Sequence, residues 1–360
     1  MIESPQNNLA LLMIGFALIP TIYQAFFYPM GGWDAWSVWN LKARFLFLGK
    51  TQWRAMFDPV LWRSSPHYPL LLPLMNVWGW IGYKNPTPIV PLWNSLLFTF
   101  LTGGFLFSVL RRSVSVLLST AAVLLLFTLP YFTKLASSQY CDIVLAFYLL
   151  CALACLVMAI RDDSKQFAAV AGISLGFLGF TKPEGLIAVG LIVFSSLFFL
   201  WNKGQSINKQ SLIGFLLAGL GVGLLPVFLF QLYFAPANQT FINGLVSSQK
   251  PSNPARLQMI LAFFLVELKS TKWNGLWITL AIGMLLSMNR CFHKSIRIVP
   301  ICLGLYLLIV GFYYYINTYF EITWWLKVSL SRILFAVIPS FVFWIFDTIG
   351  LLDRWPGRRE

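Results

Sequence analysis

Apolar runs close to the ~20 residues a helix needs to cross a bilayer recur along the whole chain. They fall at about 9–27, 89–110, 114–132, 143–160, 167–181, 186–201, 211–234, 274–289, 298–317 and 333–351. The pattern predicts an all-α integral membrane protein, a polytopic helix bundle of about ten spans. A long segment, 28–88, separates the first two spans and is rich in Trp, Pro and basic residues. Within it, Tyr68–Ile81 is an apolar run of 14 residues with two prolines. That is short for a crossing and suits a re-entrant or interfacial helix. A second long interval, 235–273, contains Arg256–Leu268, another predicted interfacial helix. The chain divides on this reading into a membrane module, 1–234, with loop 28–88, and a C-terminal membrane segment, 235–360, with loop 235–273 and three spans.

Composition agrees with the pattern. Of 360 residues, 58% are hydrophobic and 11% charged, and mean hydropathy is +0.74. A soluble domain carries roughly 25% charged residues, so this chain has too few to cover a water-facing surface. The net charge of +14 comes from 26 Lys+Arg against 12 Asp+Glu. In a soluble protein that excess would suggest nucleic acid. Here basic loops held in the cytoplasm and basic residues meeting anionic lipid explain it, and no nucleic-acid partner is expected. Cys141, Cys151, Cys155, Cys291 and Cys302 show no zinc or redox spacing and read as small apolar fillers. Met1–Asn8 has no basic n-region, so the first span is expected to be retained.

The distribution of charge sets the orientation. If Tyr68–Ile81 does not cross, Arg111, Arg112, Arg161, Lys165, Lys203, Lys209, Arg290, Lys294, Arg297, Arg354, Arg358 and Arg359 all fall on one side. The short loops opposite hold Lys134, Lys182, Lys327 and Arg332. Twelve against four places the first set in the cytoplasm and loop 28–88 outside. Asn238–Thr240 fits a glycosylation sequon, a match too common to carry weight.

With 12 acidic residues in the chain, each position is informative. Asp34, Asp142 and Glu184 stand where a span meets the outer surface, and a carboxylate at a bilayer boundary is costly and a functional candidate. The competing reading is a solvated helix end. Helical spacing puts Ser37, Asn40 and Arg44 on one stripe with Asp34 at its edge. Trp33, Trp36 and Trp39 surround that stripe, either as a headgroup belt or as a platform on which a sugar ring stacks. Lys42, Arg44, Lys182 and Arg332, with His67 and Tyr68, supply cations and polar groups that suit a lipid phosphate. Taken singly, each cation is equally a snorkelling anchor. Carboxylates, cations and tryptophans on one face suit a phospholipid-linked, polyhydroxylated substrate.

Gly32-Trp-Asp-Ala-Trp-Ser-Val-Trp-Asn-Leu-Lys-Ala-Arg44, His67-Tyr-Pro-Leu70, Asp142 opening a span, and Thr181-Lys-Pro-Glu-Gly185 resemble bacterial GT-C type glycosyltransferases. These are relatives of the protein O-mannosyltransferases and the lipid A aminoarabinose transferases. The resemblance covers roughly residues 9–200, and Ser331-Arg332 is similar to a late motif of the same enzymes. It implies transfer of a sugar from a polyprenyl-phosphate donor to a lipid, glycan or protein acceptor, on the exterior face of the bacterial inner membrane. It also implies Asp34 as the base that activates the acceptor hydroxyl, and Asp142 as a second acidic site residue. With that resemblance, Lys182 and Arg332 are expected to bind the donor phosphate, with Glu184 holding Lys182. Two separated carboxylates leave a divalent cation open. A flippase or transporter of lipid-linked sugars would need polar residues along a path through the spans, which are almost free of them. An O-antigen-type ligase or polymerase, or a non-catalytic membrane subunit, remain the alternatives.

Overall fold

A computed structural model describes residues 5–201, 209–238, 242–244 and 253–353, and every regular element among them is a helix. Among the described residues, seven helices are long and apolar enough to cross a membrane: Asn7–Phe27, Ile89–Leu110, Cys141–Asp162, Pro183–Leu200, Lys209–Tyr233, Ile298–Ile316 and Ile322–Leu351. The count reaches eight if one bent pair is a single span. In full, the helices are α1 (Pro5–Phe27), α2 (Asn40–Leu48), α3 (Leu71–Tyr83), α4 (Ile89–Leu110), α5 (Val116–Phe127), α6 (Pro130–Ser138) and α7 (Cys141–Asp162). They continue as α8 (Lys165–Gly179), α9 (Pro183–Trp201), α10 (Lys209–Tyr233), α11 (Pro254–Leu268), α12 (Leu276–Leu286), α13 (Ile298–Ile316) and α14 (Ile322–Asp353). Lys203, Arg354, Arg358 and Arg359 of the basic set, and Thr240 of the sequon, lie outside the described residues.

The all-α polytopic architecture is as the apolar pattern predicts, with differences of detail that have physical causes. The apolar run 114–132 is broken into α5 and α6, which meet at 68°. Pro130 opens α6 and has no N–H with which to continue the α5 ladder. The runs at 167–181 and 274–289 form helices of 15 and 11 residues. The last helix runs for 32 residues and begins at Ile322, where Glu321 accepts hydrogen bonds from the Thr323 and Trp324 amides. Arg332 therefore lies inside a helix instead of before it; Lys327 and Arg332 interrupt the apolar pattern but not the backbone. Segment 28–88 is built of short helical pieces, and α3, with 13 residues, reaches only ~20 Å. That is too short for a hydrocarbon core of about 30 Å.

Two ion-pair knots fasten α7 to α14. Asp142 in the first turn of α7 meets Arg332 about a third of the way along α14, and near the ends of both helices Arg161 holds Asp347 through Nη2–Oδ2 at 2.6 Å and Nη1–Oδ1 at 3.1 Å. Asp142 and Arg161 are separated on α7 by ~28 Å of helix, and Arg332 and Asp347 on α14 by ~22 Å. The α7 side chains between the knots are almost all buried and apolar. Elsewhere α8 and α10 approach through Gly172, Gly176, Gly219 and Gly223. A Cβ on Gly176 would collide with the backbone of Gly223, so these small residues set the spacing between the helices.

Candidate active site

The chain first turns toward the site at Gly31-Gly32. Gly31 has φ +70, a conformation that L side chains avoid, and a Cβ there would stand 2.6 Å from the Ser138 carbonyl. Gly32 donates its N–H to the same carbonyl at 3.0 Å, and a Cβ on it would collide with the Tyr140 hydroxyl. The missing side chains let the segment after α1 lie against the end of α6, which brings Asp34 beside Tyr140 and the first turn of α7. A π-turn over Ala35–Trp39 follows, widening the helix before α2. It shifts the register, so the stripe of Asp34, Ser37, Asn40 and Arg44 is not kept. Asp34 faces Arg332, Asn40 enters an amide chain, and Arg44 is exposed.

Arg332 is the centre of the site. Its Nη1 lies 2.7 Å from Asp34 Oδ2, its Nη2 donates to Asp142 Oδ2 at 2.8 Å, and its Nε reaches both oxygens of Asp142 at 3.0 and 3.1 Å. Lys182 Nζ donates to Asp142 Oδ1 at 2.9 Å and lies 3.4 Å from Glu184 Oε1. Asp34, Asp142, Lys182, Glu184 and Arg332, singled out in sequence, thus form one network. Pro183 starts α9 directly after Lys182, and the Gly185 amide donates to the Lys182 carbonyl at 2.9 Å, which fixes the turn. Burial alone would lower the Lys182 pKa, and neighbouring Arg332 acts the same way, but Asp142 and Glu184 hold it above its ordinary value.

Burial separates the two aspartates. The Asp142 side chain is 4% exposed and that of Asp34 is 25% exposed. Asp142 is an internal anchor shared by both cations; Asp34 is the more exposed carboxylate of the two. Arg332 has five N–H donors, and the two carboxylates engage its Nε, Nη1 and Nη2.

The other predicted residues divide. Lys42 is fully buried; its Nζ donates to the Ser65 and Tyr68 carbonyls at 2.6 and 3.2 Å, under the rings of Trp39 and Tyr68. It ties the 65–68 strap to α2 and does not face a ligand, and burial lowers its pKa to about 7. His67 packs edge-on against Tyr68, and burial, then Lys42, lower its pKa to about 4, so it is a neutral imidazole at pH 7 and not a phosphate cation. Tyr68 borders the network: burial first and the Glu184 carboxylate second raise its phenol to about 12. Trp39 is fully buried against Tyr68, leaving no ring face for a sugar. Trp33 and Trp36 are exposed, their rings edge to face at 4.3 Å, and they alone keep free faces.

Three features escaped the sequence reading. Tyr140 supports the guanidinium of Arg332, with Cζ 5.0 Å from its ring centroid. An amide chain runs from Asn94 to Asn76 at 2.8 Å, Asn76 to Asn40 at 2.9 Å, Asn40 to Gln139 at 3.0 Å, and Gln139 to the Pro29 carbonyl at 2.7 Å. It joins α4, α3, α2 and the α6–α7 junction, so the segment carrying Asp34 is pinned at both ends. A satellite pair, Lys272 and Glu267 at 2.8 Å, lies next to Ser331. None of these residues carries an anomaly of charge that composition could flag, except the satellite pair, whose Glu267 ends an apolar helix and whose Lys272 lies in the short turn after it.

Among the described residues, no group of three His, Cys, Asp or Glu side chains could hold a metal ion. The oxygens of Asp34 and Asp142 already face guanidinium and ammonium nitrogens, so the donor set does not fit a divalent cation without displacing Arg332.

No protein family and no curated protein matches the chain. Among solved structures it is similar to the crystal structure of ArnT from Cupriavidus metallidurans bound to undecaprenyl phosphate, with a TM-score of 0.61 and 15% identity. The match covers 97% of this chain and 60% of that one, so the chain spans about 60% of the length of that protein. The two share an all-α polytopic membrane fold.

Proposed function

We propose that the chain is an inverting membrane glycosyltransferase that moves a sugar from a polyprenyl-phosphate carrier to a hydroxyl acceptor. One observation carries this reading. Residues as distant in sequence as Asp34, Asp142, Lys182, Glu184 and Arg332 converge at one end of the bundle, on a fold whose solved example holds undecaprenyl phosphate. Asp34 takes the proton from the acceptor hydroxyl as its oxygen bonds to the anomeric carbon. The bond from that carbon to the phosphate oxygen breaks, its electron pair stays on the phosphate, and polyprenyl phosphate leaves. Arg332 meets the charge that grows there with its remaining N–H groups, which are worth most where water is excluded. Lys182 and Asp142 hold Arg332 in place. The apolar interior between the two ion-pair knots favours an enzyme at the bilayer boundary over a transporter, which would need a polar path between them.

The test supplies purified protein in proteoliposomes with labelled polyprenyl-phosphate sugars and a lipid extract of the cell envelope as acceptor. Conversion of one donor into polyprenyl phosphate and a glycosylated product is expected; failure to consume any donor would set the reading aside. The active face is expected to be exterior. Cysteines placed at Ser65 and Asn85 should both react with a membrane-impermeant thiol reagent added outside, and one at Ser113 should not. Protection of the Asn85 site alone would mean that Tyr68–Ile81 crosses and would invert the later spans.

A further inference from the structure

The Arg332 network holds three carboxylates, Asp34, Asp142 and Glu184, against two cations, Lys182 and Arg332. It is negative by one charge, and a phosphate approaching it needs positive charge from elsewhere. That charge stands next door. Lys272 Nζ donates to Ser331 Oγ at 2.7 Å, so it sits beside the residue that precedes Arg332. Its ammonium is 5.5 Å from the centroid of Tyr131, and the ammonium of Lys134 is 5.9 Å from the same ring. Lys134 is exposed, and no carboxylate lies within ion-pair distance of it among the described residues. Glu267 neutralises Lys272 in part and is itself fixed by the Trp273 indole N–H at 3.2 Å. Two ammonium groups thus lie near one ring, and the single carboxylate there pairs with Lys272 alone, so an anion at the ring would meet uncompensated positive charge.

An apolar groove runs beside α6. Pro130, one turn before Lys134 on the same helix, lines it together with Thr133. Met13, Phe16 and Ala17 of α1 and Leu124 and Phe127 of α5 supply most of its apolar wall, Gln24 and Thr128 add polar atoms, and the open space is about 780 Å³. An apolar groove that begins one helical turn from Lys134 suits a ligand with a hydrocarbon tail and a phosphate head.

We propose that Lys134 and Lys272, around Tyr131 and Ser331, form a phosphate site beside Arg332 that takes the phosphate of a polyprenyl lipid. This rests on the reading of the chain as a polyprenyl-phosphate enzyme and adds cations that the reading itself does not assign. Neither lysine touches the anomeric centre; both hold the carrier so that its phosphate reaches the free N–H groups of Arg332. Loss of two charged donors weakens binding by roughly ten-fold or more.

The test measures binding of undecaprenyl phosphate to the purified full chain in detergent, in parallel with inorganic phosphate and phosphatidylglycerol, for wild type, Lys134→Gln, Lys272→Gln and the double variant. The expected result is a graded loss of undecaprenyl phosphate affinity, at least ten-fold in the double variant, with Lys134→Arg close to wild type. An unchanged melting temperature in Lys134→Gln, whose side chain is exposed, separates this loss from misfolding. Wild-type affinity for undecaprenyl phosphate in both single variants and the double variant would overturn the site. So would an equal loss for phosphatidylglycerol, because the patch would then read anionic lipid in general, or for inorganic phosphate, because the tail would then contribute nothing. If wild type binds undecaprenyl phosphate through these lysines yet transfers no sugar, the enzyme reading fails and the site stands. If transfer proceeds and the variants bind normally, only the site fails.

Discussion

Asp142→Asn is expected to lower the melting temperature in detergent by on the order of 10 °C and to abolish transfer. The substitution preserves shape and removes one charge. That charge is the shared partner of Arg332 Nε and Nη2 and of Lys182 Nζ, at 2.8 to 3.1 Å. The asparagine amide can replace one of those acceptors but offers its N–H₂ to the others, leaving two cations facing donors in a buried site. Breaking a buried pair costs about 3–5 kcal/mol, most of it the penalty of the unpaired charge left behind. The cost should fall when Lys182→Met is added, since one of the stranded cations is then gone. A double variant no more stable than Asp142→Asn alone would contradict the assignment of Asp142 as the common anchor. A melting temperature unchanged in the single variant would contradict it more directly.

Asp34→Asn is expected to slow transfer by about 10²–10⁴-fold with little change in melting temperature. Asp34 makes one ion pair, to Arg332 Nη1, and its side chain is 25% exposed. Arg332 keeps its contacts to Asp142 after the change, so the fold should lose much less than in Asp142→Asn. The asparagine keeps the shape and can still face the acceptor, but it cannot take a proton. Asp34 and Asp142 bind the same guanidinium, yet one variant should lose rate and the other stability. Donor binding should survive in Asp34→Asn. Near-normal turnover would remove Asp34 as the base.

Much of the site was legible because charge is scarce in a membrane chain. A carboxylate or cation at the edge of an apolar run stands out, and Asp34, Asp142, Lys182, Glu184 and Arg332 were all found that way. Their convergence was an expectation of resemblance and of topology, and the network gives it distances. Residue type could not reveal facing. Lys42 and Trp39 look like surface residues of an amphipathic helix, but the π-turn over Ala35–Trp39 rotates both inward. His67 stands among candidate phosphate ligands in the sequence, and its burial keeps the imidazole neutral. Tyr140 and Gln139 carry no charge, and 17% of the chain is aromatic, so one more tyrosine gives no signal. Breaks inside apolar stretches were equally silent. The bend between α5 and α6 falls where hydropathy is continuous, and only Pro130 marks it. The start of α14 was hidden the opposite way, by charges on a continuous helix.

The most direct test of the central claim is the configuration of the product. Direct attack of an acceptor oxygen activated by Asp34 breaks the bond to phosphate from the opposite face, so the anomeric centre must invert. Transfer from a polyprenyl-phosphate sugar of known configuration, followed by NMR measurement of the anomeric coupling in the product, should show inversion in every molecule formed. A product with the donor's configuration would contradict a single displacement with Asp34 as its base.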